Sequence, residues 1–246
     1  MHKRLLIIFG IIATVVLLAV LLYIIFAVGN VNVNTTNNIT LTEQQKSDII
    51  KLSGIKGGNN IFAIDEGIAI QNIEISFPKI KVLSIERKFP NNVYIYVTDR
   101  TGVFSLLLPD RRYAVLDREL KVIDIVTEND QKLCQLEGVD TQNVKIGYVL
   151  EKSETLLNMI KGAEKCSFIN ARFYSFIKKT EVKEEEIWLT TNTGVVFCLP
   201  ISSNIDESMI NCYGYYLEHT NETSKSGGKI VLISEGEKKG WTWVEN

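Results

Sequence analysis

From Leu5 to Val28 every position is apolar except Gly10 and Thr14, and none is ionisable. These 24 residues reach about 36 Å as an α-helix, enough to cross a hydrocarbon core of about 30 Å with some tilt. The pattern predicts one transmembrane helix. A cleaved signal peptide has an apolar region of only about 7 to 15 residues followed by a small-residue cleavage site, and only Ala27-Val28-Gly29 vaguely qualifies. Lys3 and Arg4 precede the span, whereas Gly29 to Gln45 carries neither Lys nor Arg. The positive-inside bias therefore puts residues 1–4 in the cytoplasm and the chain after residue 28 outside.

Beyond the span the periodicity changes several times. Val31-Asn32-Val33 alternates as a short strand. Thr42 and Gln45 form a capping box ahead of the stripe Ile49, Ile50, Leu52, and Gly54 offers a left-handed stop. Asp65 can cap a second helix carrying Ile68, Ile70, Ile73 and Phe77, ended by Pro78. Ile80, Val82 and Ile85 alternate imperfectly. After the turn Phe89-Pro90-Asn91-Asn92, Val93, Ile95 and Val97 alternate with Tyr94, Tyr96 and Thr98, which completes a hairpin. The order strand, helix, helix, strand, strand predicts a small α+β domain with both helices on one face of a three-stranded sheet.

Val103–Leu108, Tyr113–Leu116 and Leu120–Val126 then read as short strands of an antiparallel sheet. A helix capped by Ser153 and striped by Leu156, Leu157, Ile160 and Ala163 follows, and Phe173, Ser175 and Ile177 return the chain to the sheet. Ile187–Leu189 and Val195–Leu199 flank the turn residues Asn192 to Gly194 as a hairpin. A last helix, about Ile205 to Leu217, carries Ile205, Met209, Ile210, Tyr213, Tyr216 and Leu217 on one side. Lys229-Ile230-Val231-Leu232-Ile233 reads as a final strand after a Ser/Gly-rich loop, hence as an edge able to accept a strand from another protein. Glu235 to Lys239 is charged, and Trp241-Thr242-Trp243-Val244 ends the chain. The tryptophans either pack on the sheet or help to bind the partner.

The succession Leu52-x-Gly54-Ile55, Gly58-Asn59-Asn60-Ile61-Phe62-Ala63-Ile64-Asp65, Phe77-Pro78-Lys79-Ile80 and Ile85-Glu86-Arg87-Lys88-Phe89-Pro90-Asn91 resembles the POTRA domain of the FtsQ/DivIB family of bacterial division proteins. Asp99-Arg100 stands where that family has Glu-Arg, and Tyr113-Ala114-Val115-Leu116-Asp117 resembles one of its strands. Leu136-Glu137-Gly138-Val139 and Ile146-Gly147-x-Val149-Leu150 resemble later pieces. The proline that follows Glu-Arg in the family is absent, with Gly102 nearby. The resemblance implies an α+β protein with residues 1–4 as cytoplasmic tail, 5–28 as span, 29–99 as POTRA domain, 100–234 as a mostly antiparallel β domain and 235–246 as a C-terminal tail. It implies a bitopic, non-catalytic scaffold enriched at the septum, with DivIC/FtsB-like and FtsL-like partners and, through them, control of septal peptidoglycan synthesis. Lys229, Ile230, Val231, Leu232, Ile233, Trp241 and Trp243 are the residues expected to bind the partner. No cofactor is expected.

Composition narrows the alternatives. Without Lys3 and Arg4 the chain carries 25 basic against 29 acidic side chains, a balance that argues against a nucleic-acid partner. Nothing in the pattern marks a small-molecule substrate. Cys134, Cys166, Cys198 and Cys212 lie outside the span at spacings that match no metal motif, and they read as reduced, half-buried core residues. Their pairing, if any, is open. His219 is the one histidine outside the tail. Asp99, Asp117 and Asp124 could serve a membrane-anchored wall hydrolase, but they sit in charged turns with no cleft signature. A POTRA-containing transport component would need a barrel, and the later segments are too few and irregular for one. Glu184-Glu185-Glu186 reads as a solvated face. Asn34-Thr35-Thr36, Asn38-Ile39-Thr40 and Asn221-Glu222-Thr223 fit the glycosylation pattern, which matters only in a secreting eukaryote.

Overall fold

A computed structural model of the chain describes every residue except 1, 37–38, 151–153, 167–175, 221–226, 236–237 and 246. Two compact units divide between Arg100 and Thr101, one residue after the boundary expected from the sequence. The expected Ser153 cap, the Phe173 and Ser175 positions, Asn38 of one glycosylation pattern and the whole of Asn221-Glu222-Thr223 lie outside the described residues.

The first unit begins with α1 (His2–Ile25). Ile7–Ile25 form one helix long and apolar enough to cross a membrane, and none of that window is buried within the protein. Strand β1 (Asn30–Thr35), helices α2 (Glu43–Leu52) and α3 (Glu66–Ser76), and strands β2 (Ile80–Lys88) and β3 (Asn92–Asp99) follow in the expected order. The sheet runs β1-β3-β2, with β1 parallel and β2 antiparallel to β3.

Local chemistry explains each boundary. Gln45 N–H donates to Thr42 Oγ1 at 3.2 Å and Thr42 N–H to Gln45 Oε1 at 2.9 Å, so two amides that the helix cannot satisfy are satisfied reciprocally. Gly54 adopts φ 71° after the Ser53 cap and turns the chain out of α2. Asp65 Oδ1 accepts the Ile68 amide at 3.0 Å and starts α3. The imperfect alternation of β2 has a physical cause. The register shifts between Val82 and Ser84, and the extra residue, Leu83, is exposed. Val93, Ile95 and Val97 are fully buried beneath Ile49, Ile61 and Ile73. One expected core residue of α3 faces solvent: Ile68 is exposed, and Ala69 takes the buried position with Ile73.

An ion pair closes this core. Arg100 Nη2 lies 2.7 Å from Glu74 Oε2, with only 4% and 13% of the two side chains exposed, and Glu74 Oε1 accepts the Val82 amide at 3.0 Å beside the bulge. The family-like Asp99-Arg100 step therefore serves the fold: it clamps the end of β3 to α3 and fixes the bulged start of β2.

The second unit is one nine-stranded mixed sheet with two described helices. Its strands are β4 (Phe104–Leu107), β5 (Tyr113–Leu116), β6 (Val122–Val126), β7 (Cys134–Glu137), β8 (Ile177–Val182), β9 (Glu186–Thr191), β10 (Val196–Pro200), β11 (Lys229–Glu235) and β12 (Lys238–Val244). Their order across the sheet is β12-β11-β10-β9-β8-β7-β4-β5-β6. Five neighbouring pairs are antiparallel and three parallel, so the expected mostly antiparallel domain is found. The β7–β8 and β10–β11 pairs are parallel because a helix is interposed in each connection: α4 (Glu154–Lys165) and α5 (Ile205–Thr220). The helices bury Leu156, Met159, Ile160, Ile205, Met209 and Tyr213 on the sheet. Leu217, expected in the α5 stripe, is exposed, and Cys212 is buried in its stead.

Replacing Arg100 with Ala removes the cation from a nearly dry carboxylate, and a broken buried pair costs about 3 to 5 kcal/mol. Denaturant unfolding of the full chain in detergent, read by amide exchange of β3, should show the first unit melting much earlier while the second is unchanged. An unaltered midpoint would mean that the pair contributes nothing.

Candidate docking edge

The residues expected to bind a partner gather at one end of the nine-stranded sheet, but in an arrangement different from the predicted one. Strand β11 is not an edge. Its Lys229, Ile230 and Val231 pair in parallel with Val196, Phe197 and Cys198 of β10, and Lys229–Glu235 pair antiparallel with Val244–Lys238 of β12. The outermost strand is β12, which occupies most of the segment expected to be a tail. Sequence reasoning missed it because Glu235 to Lys239 reads as a charged stretch that opens a tail. The available signal was the two-residue period of Trp241 and Trp243, with small or polar residues between them.

Register sorts the side chains onto two faces. Ile230 and Leu232 share the helix-covered face with Trp241 and Trp243; Lys229, Val231 and Ile233 share the solvent face with Thr242 and Val244. Ile230 is fully buried. Trp241 and Trp243 are half-buried against the core, and the Trp243 ring stacks on Tyr216 of α5 with centroids 6.4 Å apart and planes 14° from parallel. Burial pushes the neighbouring Tyr213 phenol up to about 12.

On the solvent face Lys229 Nζ sits 4.4 Å from the Trp188 ring centroid, and Lys183 Nζ sits 3.1 Å from it. Trp188 Nε1 donates to Glu186 Oε2 at 2.6 Å. Two ammonium groups and a carboxylate thus frame one indole. Farther along this face Lys179 pairs with Glu137 at 2.7 Å, and that hydrogen bond raises the ammonium's pKa. The charged middle of the face gives way toward β12 to Val231, Ile233 and Val244, of which the last two are 42% and 45% exposed.

Backbone direction follows from one bond. Val196 N–H donates to Gly228 O at 2.9 Å, so Gly228 and Ile230 turn their polar groups toward β10. Alternation turns Lys229, Val231 and Ile233 toward β12, where they meet Val244, Thr242 and Gly240. The amides and carbonyls of Lys239, Trp241 and Trp243 are thereby directed to the outer edge, with which no strand pairs among the described residues. Gly228 makes this packing possible. It has φ 94°, and a Cβ there would strike the Trp243 indole nitrogen and stand 3.0 Å from the Val244 carbonyl oxygen.

The other candidate residues serve local structure. Asp117 Oδ1 accepts the amides of Glu119 and Lys121, each at 2.9 Å, and holds buried Leu120 at φ 58°. Asp124 accepts the Ile125 amide, and Asp99 accepts from the Thr98 hydroxyl at 3.4 Å. His219 stacks on Tyr215 at 3.9 Å with Nδ1 2.8 Å from the Tyr215 carbonyl oxygen, which requires the proton on Nδ1. No group of His, Cys, Asp and Glu that could hold a metal occurs among the described residues. Cys134, Cys166, Cys198 and Cys212 are free thiols, buried fully rather than by half. Desolvation raises all four, Cys134 to about 12 and Cys198 to about 11, which disfavours the thiolate that nucleophilic chemistry needs. The loop Gly54 to Asn60 packs on the residues after α1, with Gly58 N–H donating to Val28 O at 2.8 Å.

Comparison with known proteins agrees with this architecture. Residues 26–100 match the POTRA domain of FtsQ type. The cell division protein DivIB of Clostridium botulinum strain Hall is 32% identical over 127 residues, covering 51% of this chain and 44% of that protein. DivIB of Clostridium acetobutylicum is 34% identical over 117 residues, covering 47% and 46%. Cell division protein FtsQ of Corynebacterium glutamicum is 28% identical over 140 residues, covering 57% and 58%. The chain thus matches about half the length of these relatives.

A Gly228→Ala variant should displace the Trp243 indole and loosen β12 at a cost of about 1 to 3 kcal/mol. Tryptophan fluorescence should shift to the red and the amides of β12 should exchange faster. An unchanged spectrum and unchanged exchange would show that the close approach is tolerated.

Proposed function

Because the chain belongs to the FtsQ/DivIB family of division proteins, we propose that it is a bitopic, non-catalytic scaffold of the divisome. On this reading α1 anchors it in the cell membrane with Lys3 and Arg4 inside, and both folded units stand outside at the septum. There it binds single-span partners of the DivIC/FtsB and FtsL types and through them helps to control septal peptidoglycan synthesis.

The observation that carries the reading is the outward backbone of β12. An extended partner segment adds to Lys239, Trp241 and Trp243 as a tenth strand, and main-chain hydrogen bonds supply the affinity. Val231, Ile233 and Val244 offer apolar side chains to the residues flanking that strand. Lys229, Ile230, Val231, Leu232 and Ile233 act as its support: β11 holds β12 in register, and Ile230, Trp241 and Trp243 lock both strands to the helices. Modest contacts suffice, since confinement to one membrane raises the effective concentration of both proteins.

Several groups that could have served chemistry have structural uses instead: Asp117 and Asp124 accept backbone amides, His219 stacks on Tyr215, and the Cys134 thiol is desolvated.

The test separates edge from ladder. Lys239→Pro removes an outward donor while sparing the bonds between β12 and β11, whereas Thr242→Pro removes an inward one. With the external segment of a DivIC/FtsB-type protein as probe, Lys239→Pro should lose about tenfold or more in affinity without a change in melting temperature, one lost hydrogen bond and a blocked approach being worth about 1.4 kcal/mol or more. Thr242→Pro should lower both. Full retention of the partner by Lys239→Pro would reject strand addition at this edge, and digestion of purified cell wall by the native chain would reject the scaffold reading.

A further inference from the structure

The end of α1 is joined to the first unit by hydrogen bonds rather than by a free linker. Ile61 N–H donates to Phe26 O at 2.9 Å, Val28 N–H to Asn59 O at 2.8 Å, and Gly29 N–H to Asn91 O at 2.7 Å. Tyr23, in the last turn of the helix, reaches the Gly58 carbonyl with its hydroxyl at 3.4 Å. Val28 is 3% exposed and belongs to the core of the domain. The loops around Asn59 and Asn91 are therefore held at the helix end.

Those loops carry two phenylalanines that the core does not use. Phe62 and Phe89 are 59% and 57% exposed. Their rings stack with centroids 5.2 Å apart, and the Phe26 ring lies 5.1 Å from one and 6.0 Å from the other. Single exposed apolar residues are ordinary on protein surfaces, but three contacting rings brought together from three segments form a patch.

Length decides what covers it. From Leu5, where the apolar run begins, to Ile25, where α1 ends, 21 residues rise about 31 Å, the whole of a hydrocarbon core of about 30 Å. Ile25 then sits at the core boundary, and the interfacial layer beyond it is only about 5 to 7 Å thick. Rings within 5.1 to 6.0 Å of Phe26 fall inside that layer. Exposed Lys56 sits in the first of these loops and exposed Lys88, the last residue of β2, whose Nζ lies 4.8 Å from the Tyr94 ring centroid, adjoins the second, so that ammonium groups flank the rings where lipid phosphates lie.

We propose that Phe62 and Phe89, stacked on Phe26, insert into the headgroup layer of the outer leaflet and pin the POTRA domain in a fixed attitude on the bilayer. The proposal rests on the reading of α1 as a membrane anchor. Insertion turns a one-point tether into a broad foot. It sets the direction in which β1 and β3 leave the membrane, because Asn30 and Asn92, at their starts, lie beside the inserted loops.

The experiment uses the full chain reconstituted into vesicles of phosphatidylcholine with phosphatidylglycerol. Phe62→Cys and Phe89→Cys are labelled with the fluorophore NBD, to which the four buried native thiols are poor competitors. Glu43→Cys, at the end of α2 remote from these loops, is the exposed control. Both phenylalanine positions should emit to the blue of the control and lose most of their emission to lipids carrying a shallow nitroxide. The control should lose little. Emission and quenching equal to those of Glu43→Cys, in protein that floats with the vesicles, would overturn insertion and leave the anchor intact. Failure to float would overturn the anchor, and the insertion with it.

Discussion

The first domain is built directly onto the end of the apolar helix. A span of this kind commonly passes into a flexible tether, but here Val28 is a core residue of the first domain and its amide and carbonyl are bonded to Asn59 and Gly58. On the reading of α1 as a membrane anchor, the span runs into the core of the first domain within three residues, from Ile25 to Val28. A depth set by the apolar length of α1 would then pass through these bonds to a folded domain.

The two domains handle strand edges differently. In the first, a three-stranded sheet is backed by α2 and α3, and the buried Arg100–Glu74 pair stiffens the margin where β2 bulges. In the second, nine strands in an open sheet leave two ends. The β6 end is partly covered: Val122 and Leu120 exchange backbone hydrogen bonds with Gly147, Tyr148 and Leu150. The β12 end is anchored from behind by two indoles and free in front. An exposed edge is a hazard unless it is blocked or used. This one is rimmed by apolar side chains and has no covering strand among the described residues, as the proposed docking requires.

Much of this was legible in the chain. The Thr42/Gln45 box, the Asp65 cap and the Gly54 stop act over three or four residues, so the sequence carries their whole cause. The alternation of Val93, Ile95 and Val97 is equally local. Non-local facts were harder. Nothing in Lys229–Ile233 reveals that β12 folds back on it, because the pairing brings together two segments separated by charged residues and depends on a glycine, Gly228, that admits Trp243. Ile68 looked like core by spacing, yet the buried face of α3 is set by where β2 and β3 lie beneath it. The three phenylalanines are 26, 62 and 89 in sequence, and only folding shows that they touch.

The central claim, that this protein works by lending a backbone edge to another chain, is most directly tested by amide hydrogen exchange on the full chain in vesicles, with and without the external segment of a DivIC/FtsB-type partner. The account predicts that the amides of Lys239, Trp241 and Trp243 become strongly protected on binding, while those of β6 at the opposite end of the sheet do not change. A bound partner that leaves exchange across β12 unaltered would contradict it.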